Sequence, residues 1–104
     1  WTLYTGPQAM HPGALGIAEP VGQRHSSEIL AQLDLILAPA MAVSESGMRL
    51  GKGAGYYDRA LTPLPTGRPP VVALVHSSEV RDVPFDEHDR PVDGVLTERG
   101  MRWL

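Results

Sequence analysis

The chain has 104 residues, which suits one modest core rather than two domains. Twelve acidic and nine basic residues leave a net charge of −3, so the chain lacks the basic surplus that a nucleic-acid backbone calls for. It has no cysteine, which excludes disulfides, thiol catalysis and cysteine-type zinc sites and is compatible with a cytoplasmic location. The longest apolar run, Leu35–Val43, contains Pro39 and is far short of the roughly 20 residues a membrane helix needs. The first residue is Trp1 and no signal-peptide pattern is visible, so the chain reads as processed, truncated or a piece of something longer.

In chain order, Trp1–Thr5 reads as a short strand on its aromatic and β-branched content. Residues 6–22 are broken by three prolines and four glycines, which argues against a regular helix. Ser26–Leu33 reads as a helical turn with Ser26 or Ser27 as N-cap. Leu33–Ala38 is a nearly all-apolar run ended by Pro39 and reads as a buried strand. A looser stretch, Ala40–Leu50, carries a turn signal at Ser44-Glu45-Ser46-Gly47. A helix is expected from Tyr56 to Leu61, stopped by Pro63 and Pro65. Val71–His76 is a second buried-strand candidate after the breaker Gly67-Arg68-Pro69-Pro70, and Ser77–Arg81 a helical turn. Pro84–Pro91 reads as an acidic loop, Gly94–Thr97 as a last short strand, and Glu98–Leu104 as the start of a helix. Short apolar strands separated by loops and helices point to an α/β layer fold with a mainly parallel sheet. Ligands in such sheets sit beyond the carboxyl ends of the strands, which is where loops 39–55 and 77–93 fall.

The most distinctive segment is Arg49-Leu50-Gly51-Lys52-Gly53-Ala54-Gly55-Tyr56-Tyr57-Asp58. Three alternating glycines let backbone N–H groups converge on an anion. A helix start beyond them adds to the attraction. Arg49 offers a bidentate fork to phosphate, and Lys52 is the chain's single lysine. The spacing matches neither the Walker A loop nor the dinucleotide fingerprint. A glycine-rich turn with solvated basic side chains is the plainer alternative. Asp58, one helical turn beyond Gly55, is placed to hold Mg²⁺, or else is a surface aspartate favoured by the helix start. Tyr56 and Tyr57 point about 100° apart on a helix, so one is expected to face the site and one the core. Asp89, among five acids between 82 and 93, is a second metal-ligand candidate or part of a solvated loop. The four histidines show no metal-ligand spacing.

Asp34-Leu-Ile-Leu-Ala-Pro39 followed by Gly47-Met-Arg49-Leu-Gly51-Lys-Gly53-Ala-Gly55-Tyr56-Tyr57-Asp58-Arg59 resembles the 5-formyltetrahydrofolate cyclo-ligase (5,10-methenyltetrahydrofolate synthetase) family. Gly16-Ile-Ala-Glu19-Pro20, Val83-Pro84, His88-Asp89, Asp93 and Thr97-Glu98 extend the match over essentially the whole chain. The resemblance implies a three-layer α/β/α sandwich of which residues 1–104 form a partial domain, the C-terminal portion. It implies an enzyme that closes 5-formyltetrahydrofolate to 5,10-methenyltetrahydrofolate in folate one-carbon metabolism, using Mg²⁺ and ATP and releasing ADP and phosphate. On that resemblance Arg49 to Tyr57 (Arg49, Leu50, Gly51, Lys52, Gly53, Ala54, Gly55, Tyr56, Tyr57) hold ATP, with Arg49 and Lys52 as the catalytic side chains. Lys52 to Tyr56 also contact the folate, and Asp58 and Asp89 hold magnesium. No nucleic-acid or membrane partner is expected, and the oligomeric state is left open. The stretch Val75–Val80 departs from the family, where many members show a Phe and a Gln. A non-catalytic nucleotide-binding or interaction module of the same fold, or a binder of another phosphorylated metabolite, are the alternatives.

A side chain at position 53 would block the approach of the backbone to a phosphate. Gly53→Val is therefore expected to abolish nucleotide binding in a titration, and unchanged ATP affinity would count against the loop assignment.

Overall fold

A computed structural model describes residues 1–51, 55–64, 69–85 and 90–104 of the chain. Its centre is a four-stranded sheet in the order β3-β6-β7-β8, formed by β3 (Ile36–Pro39), β6 (Val71–Leu74), β7 (Gly94–Thr97) and β8 (Gly100–Trp103). β3, β6 and β7 are parallel, with Pro39 opposite Leu74 and Leu74 opposite Leu96, so their carboxyl ends share one rim. β8 returns antiparallel to β7. The mainly parallel α/β sheet expected from the strand pattern is thus what the chain forms. Two small antiparallel ribbons accompany it: β1 (Met10–Pro12) with β2 (Ala18–Pro20), and β4 (Ala42–Val43) with β5 (Arg49–Leu50).

One face of the sheet carries the core. Ile36, Ala38, Val71, Ala73, Val75 and Val95 pack there against Leu30, Val43, Ala60 and Leu61. The alternation follows from the two-residue period of a strand. β-branched Val71 and Val72 suit a strand surrounded on both edges, and both are buried. The single α-helix among the described residues, α1 (Tyr56–Leu61), packs Ala60 and Leu61 into this core. Leu30 comes from a 3-10 helix, Ser27–Gln32. Ser26 takes the N-cap position there but makes no side-chain capping bond.

The opposite face differs from the expectation of wholly buried strands. Leu35, Leu37 and Leu74 are about half exposed, Leu37 at 53 %, and Met101 and Trp103 of β8 are exposed on the same side of the sheet. Val72 on this face is buried, but the large side chains around it are left exposed by the described residues, which do not build a third layer over them. No helix of the described residues is long and apolar enough to cross a membrane.

Two local expectations are corrected, and one is filled in. Trp1–Thr5 is not a strand, although Thr2 makes an isolated bridge with Arg24. Residues 6–22 hold no regular helix, as expected, only short 3-10 turns and the β1–β2 ribbon, where Pro12 and Pro20 stand at strand ends. Glu98–Leu104 is no helix: Thr97 pairs with Gly100 across a two-residue turn, Gly100 has φ 117°, and the chain reverses into β8. An edge position beside β7 prevails over the weak helical preference of so short a segment.

The rim is knitted by backbone and side-chain bonds. Val43 bridges to Val80, and the Arg81 N–H donates to the Val43 carbonyl at 2.9 Å. Gly47 has φ 90°, and a Cβ there would lie 2.5 Å from the Val92 carbonyl oxygen. Beside the 3-10 turn Ser77–Glu79, the Ser77 N–H donates to Glu98 at 2.7 Å and its hydroxyl donates to the other carboxylate oxygen. The Ser77 hydroxyl first, and its N–H second, hold the Glu98 carboxyl down to about 2 from an ordinary 4.5.

A carboxyl depressed in the folded state adds stability above its unfolded pKa and loses it as pH falls through the folded one. Glu98 therefore supports the fold above about pH 4.5, and this support fades towards pH 2. Ser77→Ala should return the Glu98 pKa towards 4.5 in a carboxyl-carbon NMR titration. It should also lower the urea midpoint at pH 6 more than at pH 2. An unshifted Glu98 titration would contradict this link.

Candidate functional site

The segment that drew attention in the sequence lies at the carboxyl end of β3. β5 pairs with β4 so that Arg49 stands opposite Val43, and the Met41 N–H donates to the Leu50 carbonyl at 2.7 Å. This pairing folds the chain back over the end of β3 and turns the Arg49 side chain inward. The side chain is only 6 % exposed. Its Nη1 donates to the Pro39 carbonyl at 2.9 Å, and its Nη2 reaches Asp58 Oδ1 at 3.2 Å. The guanidinium also lies over the Tyr57 ring, 5.4 Å from its centroid.

α1 begins directly after the glycine segment. Its N-cap is Gly55, at φ 71° and ψ 12°, a left-handed conformation that glycine adopts without steric cost. A Cβ there would stand 2.8 Å from Arg59 Nη1, the end of a long side chain able to shift, so it is the left-handed backbone that calls for glycine. The helix has six residues, fewer than two turns, so its own dipole is small. Local positive charge at this site must come chiefly from side chains.

The two tyrosines divide as expected. Tyr57 packs against the core, while Tyr56 is 55 % exposed. A third ring, not anticipated from the sequence, joins them. Trp1 lies with its ring centroid 5.9 Å from Tyr56 and 6.1 Å from Tyr57, and Tyr56 and Tyr57 are 5.7 Å apart. The Trp1 indole donates to the Ser27 hydroxyl at 3.1 Å, and its amino group donates to the His25 carbonyl at 2.8 Å. The isolated aromatic residues of the segment 1–5 gave no signal for this; only the fold brings the chain start beside α1.

Of the expected site residues, Arg49 and Leu50 stand in β5, followed by Gly51, while Gly55, Tyr56, Tyr57 and Asp58 stand at the start of α1, and Arg49 meets both Tyr57 and Asp58. Lys52, Gly53, Ala54 and Asp89 lie outside the described residues. Asp58 is 56 % exposed, with its Oδ1 engaged by Arg49. Magnesium commonly takes one or two protein carboxylates and completes its shell with phosphate and water oxygens. A half-exposed carboxylate beside a guanidinium fits that donor set as one member of a shared shell. A separate cavity of about 520 Å³ opens beside Ser77, Thr97, Arg99 and Arg102, and none of the expected site residues lines it.

Known proteins resemble the chain over most of its length. The family model described as the 5-formyltetrahydrofolate cyclo-ligase family matches residues 1–98. A 5-formyltetrahydrofolate cyclo-ligase of Mycolicibacterium smegmatis is 38 % identical over 103 residues, covering 97 % of this chain and 52 % of that protein. A methenyltetrahydrofolate synthase domain-containing protein of Homo sapiens is 36 % identical over 97 residues, covering 86 % of this chain and 24 % of that protein. The solved structure of a 5,10-methenyltetrahydrofolate synthetase from Mycoplasma pneumoniae aligns with a TM-score of 0.55 and 33 % identity, over 62 % of this chain and 38 % of that one. The chain thus spans about half the length of the mycobacterial relative and about a quarter of the human one. With residues 1–98 matched by one family model, and with a relative 38 % identical over 97 % of its length, the chain belongs to the 5-formyltetrahydrofolate cyclo-ligase family.

Proposed function

We propose that the protein of which these residues are a part closes 5-formyltetrahydrofolate to 5,10-methenyltetrahydrofolate at the expense of ATP. The observation that carries this reading, beyond family membership, is the pairing of Arg49 with Asp58 at 3.2 Å on the rim of a parallel sheet. A guanidinium for phosphate and a carboxylate for a hard cation, side by side, form the polar pair that a magnesium triphosphate requires. Phosphoryl transfer depends on placement and charge neutralisation more than on covalent help from the protein.

In the proposed reaction the formyl oxygen of the folate attacks the γ-phosphorus of ATP and ADP leaves. The neighbouring folate nitrogen then attacks the phosphorylated carbon, and inorganic phosphate departs as the ring closes. Arg49 would turn from Asp58 to the phosphates, its fork accepting the charge as it moves to the leaving group. Gly51 to Gly55 would present backbone N–H groups to the same oxygens, with Lys52 adding charge. Lys52 to Tyr56 would also border the folate, and the exposed ring of Tyr56 offers a flat apolar surface for it. Asp58, with Asp89, would hold magnesium, which when bound supplies charge neutralisation across the phosphates. Such an enzyme would work in the cytoplasm, where ATP is available.

Incubating the intact protein with 5-formyltetrahydrofolate, ATP and magnesium should produce the methenyl absorbance only when all three are present. No ATP-dependent rise would reject the proposal. Arg49→Lys keeps the charge but loses the fork that spans Pro39 and Asp58. Loss of one such charge-assisted contact is expected to lower kcat/KM by roughly 10- to 100-fold. Wild-type kinetics in that variant would remove Arg49 from the site.

A further inference from the structure

Trp1 takes no part in the reaction proposed above, yet its ring stands against the residue that covers Arg49. The guanidinium lies over the Tyr57 ring, 5.4 Å from its centroid, and the Trp1 ring meets Tyr57 at 6.1 Å with the planes 74° apart. That is one of the edge-to-face arrangements aromatic rings prefer. Tyr56 closes the cluster, 5.9 Å from Trp1 and 5.7 Å from Tyr57. Trp1 itself is anchored away from α1. Its carbonyl accepts the His25 N–H at 2.6 Å, Thr2 bridges to Arg24, and the indole N–H donates to the Ser27 hydroxyl at 3.1 Å. Ser27 opens the 3-10 helix that places Leu30 in the core. Trp1 and Tyr57 are both partly buried against that core, so their contact has a firm base.

The N–H donors of a guanidinium lie in its own plane. On Arg49, Nη1 serves the Pro39 carbonyl and Nη2 serves Asp58. A ring face attracts a cation through its quadrupole and claims no hydrogen-bond acceptor in return. Arg49 can thus leave Asp58 for phosphate while Tyr57 keeps its charged end at the rim, provided the ring stays in place. Without a neighbour at its edge the tyrosine side chain is free to swing to another staggered rotamer. Resting on the proposed function, we infer that Trp1 is a positioning residue of the phosphate site: its ring braces Tyr57, and Tyr57 in turn holds the Arg49 guanidinium where phosphate is to bind. Trp1 touches neither nucleotide nor folate in this role. Phenylalanine would retain an aromatic edge for Tyr57, whereas leucine would retain apolar volume without a ring.

The test is a double-mutant cycle on ATP affinity, measured calorimetrically on the intact protein at fixed Mg²⁺. Trp1→Leu should weaken ATP binding about three- to tenfold, the worth of one aromatic pair. Tyr57→Leu should weaken it at least as much. The double variant should bind no worse than Tyr57→Leu, because a brace has no effect once the braced ring is gone. Trp1→Phe should fall between wild type and Trp1→Leu. A merely structural contribution from Trp1 would instead add to that of Tyr57 and persist in its absence. Additive losses in the double variant overturn the inference, as does a Trp1→Phe affinity no better than that of Trp1→Leu. Should Trp1→Leu not fold, Trp1→Met, whose side chain packs more adaptively, takes its place in the cycle under the same criteria. An unaltered protein that binds no ATP overturns the proposed function and this inference with it. ATP binding in the unaltered protein, with the same affinity in Trp1→Leu, overturns the inference alone.

Discussion

The site hangs on a nearly buried guanidinium. Taking a charge out of water is costly unless hydrogen bonds and an opposite charge compensate, and Arg49 has both in the Pro39 carbonyl and Asp58. Those partners come from the end of the sheet's outer parallel strand and from the first turn of α1. One side chain therefore connects the strand rim, the glycine segment and the helix. Tyr57 covers the guanidinium, and Trp1 in turn packs on Tyr57. The cation is thus held at the rim with its desolvation compensated within the fold.

Around that centre the molecule divides its labour by face and by edge. The β4–β5 ribbon and α1 pack on the core face of the sheet, through Val43, Ala60 and Leu61. Residues 90–93 bind α1, the Gly47 turn and the start of β6 within four consecutive positions. Glu98 ties the ends of β6 and β7 through Ser77, and Arg102 of β8 pairs with Glu45 at 2.8 Å. On the other face of the sheet Leu37, Leu74 and Trp103 are left exposed by the described residues. Relatives about twice as long share this family, so the exposed face and the activity of the whole protein belong to the same question.

Much of this was legible in the residues because several local rules agreed. Val71–Leu74 is apolar and β-branched behind a proline breaker, and Gly94–Thr97 formed a strand over the residues expected. Tyr56–Leu61 formed a helix between a glycine and Pro63, again with the expected bounds. The segment from Arg49 to Asp58 stood out by its three alternating glycines, with Arg49 before them and Lys52 among them. Features that escaped were those set by tertiary context. Met101 and Trp103 give no strong strand signal alone, and β8 exists because a tight turn presents them to the free edge of β7. Alternation made β3 one-sided: Ile36 and Ala38 are buried while Leu35 and Leu37 are not, which an unbroken apolar run does not reveal. The contacts of Arg49, Arg90 and Trp1 join positions far apart in the chain, and no short-range pattern encodes them.

The central claim is that Arg49 exchanges its carboxylate partner for nucleotide phosphate. NMR of the Arg49 side-chain N–H groups, followed while Mg-ATP is added to the intact protein, addresses it directly. The account predicts a saturable shift of those resonances, with the Asp58 carboxyl carbon shifting at the same ATP concentration. Nucleotide binding that leaves both signals where they stand in the free protein would contradict it.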